Sequence, residues 1–288
     1  MIFVCEQLIK SRSTLKKEKE MKRDELKLKK EKLISILKNF NSLAVAFSGG
    51  ADSSFLLAVA YEVLGEKVTA ITAKSPVHPA RETEFAGKFA LDYGIKHIII
   101  QSDETNLPEF TANNRNRCYI CKKNLFPKMI EAASKAGISE LAHGANTDDL
   151  KDFRPGFSAA SEFNIAAPMI DAGLSKQDIR DLSKNMRLET WNKPAMACLA
   201  TRIPYGNGIT IESLTMIEEA ENALIDLGFT ACRVRHHGDL ARIELVKNDF
   251  EKVMNEKIRD LLVGKIKKAG YLYVSMDLEG YIQGSMNR

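Results

Sequence analysis

The chain has 288 residues, 44% hydrophobic and 28% charged, a composition that suits one large globular domain with a smaller companion. With 17 Gly and 8 Pro it is neither collagen-like nor a Pro/Gly low-complexity chain, and no run of about 18 apolar residues offers a membrane-spanning helix. The formal net charge of +4, from 42 basic and 38 acidic residues, is too mild to argue for a nucleic-acid partner by itself.

The opening residues, MIFVCEQLIK, lack the basic start and apolar length of an export signal, so a cytoplasmic protein with no membrane partner is expected. Residues 1–38 form a basic arm, with 12 Lys or Arg against 6 Asp or Glu, which leaves a small negative excess on the rest. The arm reads first as a solvated helix and second as an RNA- or partner-binding segment. Its regular part starts at Met21, with apolar Leu26, Leu33, Ile34 and Leu37. Residues 1–20 are expected to be a mis-assigned extension upstream of Met21.

Residues 39–206 read as an α/β domain. Leu43–Phe47 is a buried strand, followed by a glycine turn and the helical FLLAVAYEVLG. Val68–Ala73 is a second strand. Pro79–Tyr93 is a helix stopped by Gly94, and His97–Gln101 is a third strand. Tyr119–Ala136 is helical, with Pro127 expected to kink it or break it in two. Leu141–His143 is a short strand leading into GANTDD. Strands alternating with helices predict a parallel sheet covered on both faces, with ligands at the carboxyl ends of the strands. Ser175 caps a helix to Met186, with Asp178 three residues on. A long segment without periodicity, TWNKPAMACLATRIPYGNG, follows; its length marks it as functional and its apolar content argues against disorder.

Residues 207–288 read as a small α+β domain in the order αββαβ on a mainly antiparallel sheet. Its helices are Ile211–Leu227 and Asp249–Ala269, and its strands are Ala231–His236, Ala241–Val246 and Tyr271–Asp277.

Four groups of residues carry chemistry. Ser48-Gly49-Gly50-Ala51-Asp52-Ser53 sits between strand and helix. Its glycines let backbone N–H groups approach an anion, and the helix N-terminus adds free donors. It is neither a Walker A loop nor a dinucleotide GxGxxG turn, and it resembles the pyrophosphate loop (PP-loop) of enzymes that split ATP into AMP and pyrophosphate. Arg117-Cys118-Tyr119-Ile120-Cys121 contains a CxxC without the second pair that a four-thiolate zinc site needs. A thioredoxin-like pair is disfavoured by the flanking segments. Two buried bystanders remain an open reading, beside a site of Cys118, Cys121 and Cys198 able to hold a [4Fe–4S] cluster with one open iron. Cys198 has Arg202 nearby, which favours a thiolate, although a lone buried Cys is the plainer reading.

Gly144 opens GANTDD; Asp148, Asp149 and Asp152 there either hold Mg²⁺ against phosphates or cap the next helix and its turn. Arg233 and Arg235 share one face of a strand, either as a phosphate grip or as the wet face of a sheet, with Glu244 on the next strand as a cross-sheet partner.

SGGADS, RCYICK, GANTDD…RPG, KPAMACLATRIPYG, RVRHHGDLARIE and YVSMDLEGYIQGS, in that order between Lys32 and Ser285, resemble the LarE family of ATP-dependent sulfur transferases. The resemblance implies adenylation of a pyridine dicarboxylate mononucleotide and replacement of carboxylate oxygen by sulfur, toward a nickel-pincer nucleotide. It implies ATP and Mg²⁺ at Ser48, Gly49, Gly50, Asp52, Ser53 and Gly144, with Cys198, Arg202 and Asp52 in catalytic roles. In one branch of the family the cysteine matched by Cys198 surrenders its own sulfur. In the other, three cysteines matching Cys118, Cys121 and Cys198 hold a [4Fe–4S] cluster that delivers sulfide, and this chain has all three. Arg233 and Arg235 are then expected to hold the phosphate of the carboxylated nucleotide. A sulfide or sulfur donor and a second copy of the chain are the other expected partners. tRNA thiolation by a PP-loop enzyme with a three-cysteine cluster is the alternative, and the basic arm is its main support.

Overall fold

The computed structural model describes residues 21–151, 156–194 and 197–282. Residues 1–20, Cys5 among them, and Asp152 and Arg154 of the polar cluster lie outside the described residues.

The first sheet has four parallel strands: β1 (Leu43–Ala46), β2 (Val68–Lys74), β3 (Lys96–Gln101) and β4 (Leu141–His143), in the order β3-β2-β1-β4. Residues 21–37 form helix α1, and α2 (Ala51–Leu64) and α3 (Ala80–Asp92) follow β1 and β2. Next come α4 (Pro108–Thr111), α5 (Arg117–Lys135), α6 (Gly156–Glu162), α7 (Pro168–Asp171) and α8 (Lys176–Asn185). Successive strand residues point to opposite faces, so Val45 packs with α2, α3 and α8 while Ala44 packs with Phe126, Met129 and Ala159 of α5 and α6. The alternating pattern therefore yields the parallel, doubly covered sheet expected.

α1 is more than a solvated helix. Leu33 and Leu37 are fully buried in the core beside α2 and α8, worth about 1.5–3 kcal/mol each. Lys29 pairs with Asp178, which also closes the capping box of α8 with Ser175. The period-3.6 stripe docks the arm, and body carboxylates answer part of its basic face.

α5 runs as one element through Pro127 rather than as two. Its N-terminal turn carries Cys118 and Cys121.

The second sheet holds β5 (Cys232–His237), β6 (Leu240–Leu245) and β7 (Tyr273–Met276). β5 and β6 are antiparallel, but β7 runs parallel to β6, so the sheet is mixed rather than mainly antiparallel. A helical crossover makes this reach available to the chain. That crossover is α10 (Phe250–Met254) and α11 (Glu256–Lys268), where one helix was expected; Asn255 is extended and its side chain caps the Ile258 N–H. α9 (Ile211–Asp226) and α11 cover this sheet around Leu224, Phe229, Val234 and Leu262. Arg81 of α3 pairs with Asp226 of α9, joining the two sheets' layers.

Candidate active site

β1 ends at the glycine turn, and the first backbone bond of α2 runs from Ser54 N to Gly50 O. The N–H groups of Ala51, Asp52 and Ser53 therefore precede the helical ladder, at the end of the helix that favours an anion. Ser48 Oγ lies 3.1 Å from Ser53 Oγ, and Ser53 Oγ donates to Gly50 O at 3.2 Å, so the turn is internally braced. Gly49 has φ +72°, and a Cβ there would meet Phe85 and the Glu82 carbonyl at 3.2 and 3.3 Å.

GANTDD lies against this turn. A Cβ on Gly144 would stand 2.9 Å from both N and Cα of Ser53, so the absent side chain is what lets the end of β4 touch α2. Asn146 Nδ2 donates to Asp52 Oδ2 at 3.3 Å. Of the two uses foreseen for the cluster, capping is the one on view. Asp148 Oδ2 accepts the Lys176 N–H at 2.9 Å, and Asp149 Oδ2 accepts the Asn146 N–H at 3.1 Å while its Oδ1 lies 3.2 Å from Lys176 Nζ. Backbone donors and a lysine already occupy these carboxylates. Among the described residues, no set of three His, Cys, Asp or Glu side chains is grouped to hold a metal ion.

The segment from Lys193 to Tyr205 spans the site. Lys193 Nζ donates to Gly49 O at 3.0 Å and to Glu82 Oε2 at 2.7 Å, and stands 3.6 Å from the Phe85 ring centroid. Leu199 N donates to Val77 O at 2.8 Å, fastening Cys198 beyond β2. Cys198 and Cys121 pack against one apolar group formed by Val77, Phe110, Leu199 and Ile203.

Cys118, Cys121 and Cys198, the three thiols expected to hold a cluster, do not form a set grouped to hold a metal ion. Burial pushes Cys121 well above the usual thiol range, with Glu104, Cys198 and Cys118 adding to it. Burial likewise raises Cys198, reinforced by Cys118 and opposed by Arg117 and Arg202. Loss of water thus outweighs the nearby Arg202, the residue expected to favour a thiolate. Cys232, the remaining cysteine among the described residues, is buried in the second core and driven to about 12 by desolvation.

Arg202 is fully buried. Nε and Nη2 grip Glu221 at 2.8 and 2.9 Å, while Nη1 donates to the carbonyls of Ala197 and Cys198. It braces the Cys198 turn against α9. Arg233 and Arg235 are also buried, which corrects the wet-face reading. Arg235 donates to Glu244 at 2.7 Å and to Thr201 O at 3.0 Å, and Arg233 lies 5.0 Å from the Tyr281 ring. The cross-sheet role foreseen for Glu244 is realised with Arg235.

Sequence reasoning passed over three residues here. Lys193 stands in the quoted KPAMACLATR run, but its reach to Gly49 is long-range. Arg117 precedes the CxxC and carries no motif of its own. Glu104 is fully buried beyond β3 and accepts from Ser75 and Ser102 at the ends of β2 and β3. A surface groove beside β3, lined by Ile98, Ile100, Lys128 and Lys135, touches none of these groups.

The asparagine synthase family model matches residues 36–113, the stretch holding β1, the glycine turn, β2 and β3. Over 266 residues, 91% of this chain and 95% of the relative, the sequence is 33% identical to the pyridinium-3,5-bisthiocarboxylic acid mononucleotide synthase of Lactiplantibacillus plantarum. The chain belongs to the LarE family. An uncharacterized protein of Synechocystis sp. is 40% identical over 263 residues, 91% of this chain and 98% of its own. One from Methanocaldococcus jannaschii is 32% identical over 259 residues, 87% and 97% respectively. The LarE assignment and the PP-loop domain make this an ATP-dependent enzyme of a fold that uses ATP with Mg²⁺. No helix among the described residues is long and apolar enough to cross a membrane.

Proposed function

We propose that this LarE-family chain activates a carboxylate of a pyridine mononucleotide with ATP and replaces its oxygen by sulfur. The observation that carries the reading is the bond from Lys193 to the Gly49 carbonyl, which ties the thiol-bearing segment to the phosphate turn. One enzyme then needs both halves of the chemistry. A carboxylate resists nucleophiles because its oxygen leaves poorly; attack of that oxygen on the α-phosphate expels pyrophosphate and makes AMP the leaving group. The N–H groups at the N-terminus of α2 suit the departing pyrophosphate, and preformed donors cost no reorganisation. The Asp52 carboxylate is proposed to meet the Mg²⁺ that accompanies the triphosphate. Arg233 and Arg235 are proposed to meet the substrate's phosphate, with Arg202 holding the turn that presents Cys198.

For the sulfur we favour the three-thiol branch. Cys121 and Cys198 pack on one apolar group and Cys118 stands a turn before Cys121 on α5, which supports a three-thiolate cluster site with one open iron over a four-thiolate zinc site. Held by Cys118, Cys121 and Cys198, a [4Fe–4S] cluster would supply iron-bound sulfide. Nothing here favours tRNA thiolation: among the arm's lysines, Lys29 and Lys30 pair with Asp178 and Glu62 of the body.

Pyrophosphate exchange into ATP, dependent on the carboxylated substrate, tests the first half. Intact-mass analysis across turnover tests the second. An unchanged protein mass with thiocarboxylate formed supports the cluster, and a protein lighter by H₂S means that Cys198 was consumed.

A further inference from the structure

Arg117 and Arg202 lie in one neighbourhood with opposite occupancy. Arg202 fills its Nε–Nη2 edge with both oxygens of Glu221. Arg117 is 4% exposed, yet among the described residues only its Nη1 is engaged, donating to Asn113 Oδ1 at 2.5 Å. Its Nε is buried with no hydrogen-bond partner. An unmet buried donor costs about 1–3 kcal/mol, so its retention asks for a ligand.

The position is built rather than incidental. Asn113 Nδ2 donates to the carbonyls of Pro204 and Asn207, both at 2.9 Å, and Tyr205 lays its ring 4.3 Å from the Arg117 guanidinium carbon. The chain that follows Cys198 thus pins the arginine that precedes Cys118. The Arg117 charge acts directly on Cys198.

We propose that the unpartnered, buried Nε edge of Arg117 binds a carboxylate of the substrate and so seats its acid end beside the three thiols. The inference rests on the sulfur-transfer reading and adds the group that recognises the acid. The two parallel N–H donors of a guanidinium edge match the two oxygens of a carboxylate, as Glu221 demonstrates on Arg202. One guanidinium balances one carboxylate, whereas a phosphate dianion asks for the paired arginines of β5.

The test uses the full chain without added iron. Iodoacetamide alkylation of Cys118 and Cys198 is followed by peptide mass spectrometry, with nicotinate as the carboxylate probe and nicotinamide as its neutral counterpart. Nicotinate is expected to slow alkylation about fivefold, the scale of one partly screened charge pair, and nicotinamide is not. Arg117→Gln should abolish that protection, and Arg117→Lys should keep only part of it. Equal protection by the two probes, or full protection in Arg117→Gln, overturns the proposal. If Arg117→Gln does not fold, the wild-type ratio of iodoacetate to iodoacetamide rates decides: a ratio no higher than that of free cysteine also overturns it. Pyrophosphate exchange separates the two readings. Exchange intact without nicotinate protection sinks the Arg117 site alone; protection without exchange sinks the sulfur-transfer reading and leaves the carboxylate site.

Discussion

Lys193 reaches back 144 residues to hold the carbonyl of Gly49. The same ammonium meets Glu82 at 2.7 Å, with both side chains more than four-fifths buried. Their attraction is therefore weakly screened, and the tie between the phosphate turn and the Cys198 segment is firm.

Lys193→Met should lower ATP–pyrophosphate exchange about 10²-fold, the scale of one lost preorganised electrostatic contact, and Lys193→Arg should restore part of it. Thermal unfolding run alongside separates this from simple loss of fold. Exchange at the wild-type rate in the Met variant would reduce Lys193 to a packing role.

Gly144→Ala should push the GANTDD turn off α2, because the new Cβ would fall 2.9 Å from the Ser53 backbone. A cost of about 1–3 kcal/mol in urea unfolding, with weakened ATP use, is expected from such overpacking. Gly87→Ala is the control: its Cβ would meet nothing nearer than His97 Nδ1 at 4.0 Å.

Glu221→Gln should leave the buried Arg202 charge uncompensated. Breaking one side of a buried pair costs about 3–5 kcal/mol, read from the denaturant midpoint. Because Arg202 also holds the carbonyls of Ala197 and Cys198, alkylation of Cys198 should accelerate in the same variant. A stable protein with unaltered Cys198 reactivity would contradict the bracing role.

His143, at the end of β4, is held down to about 4 by burial, next by Lys122, with Asp149 opposing. The unfolded chain binds this proton near pH 6.5, so between the two values it takes up more protons than the folded chain, and stability falls as pH drops through that window. Between pH 6.5 and 5 the loss from this residue is about 1.5 kcal/mol. His143→Phe, beside Phe126 and Phe157, should flatten the pH dependence of urea unfolding by that amount. An unchanged slope would show that His143 is not buried in its neutral form.

The amino-acid sequence by itself determined the alternation of strands and helices and the glycine turn at Ser48–Ser53, because each rests on neighbouring residues or short spacings. The double-sided cover of β1 is legible in LAVAF, and the cap of α8 in Ser175 and Asp178. The tertiary structure decided what the charged groups do. Arg202 fills its fork with Glu221, Arg235 donates to Glu244, Asp148 caps a backbone N–H, and Arg117 leaves a buried Nε without a partner. Nor could Arg202, nearby in sequence, reveal that burial would raise the Cys198 thiol. A charge takes its role from what is packed against it, and here those partners sit on other elements, 9 to 28 residues away along the chain.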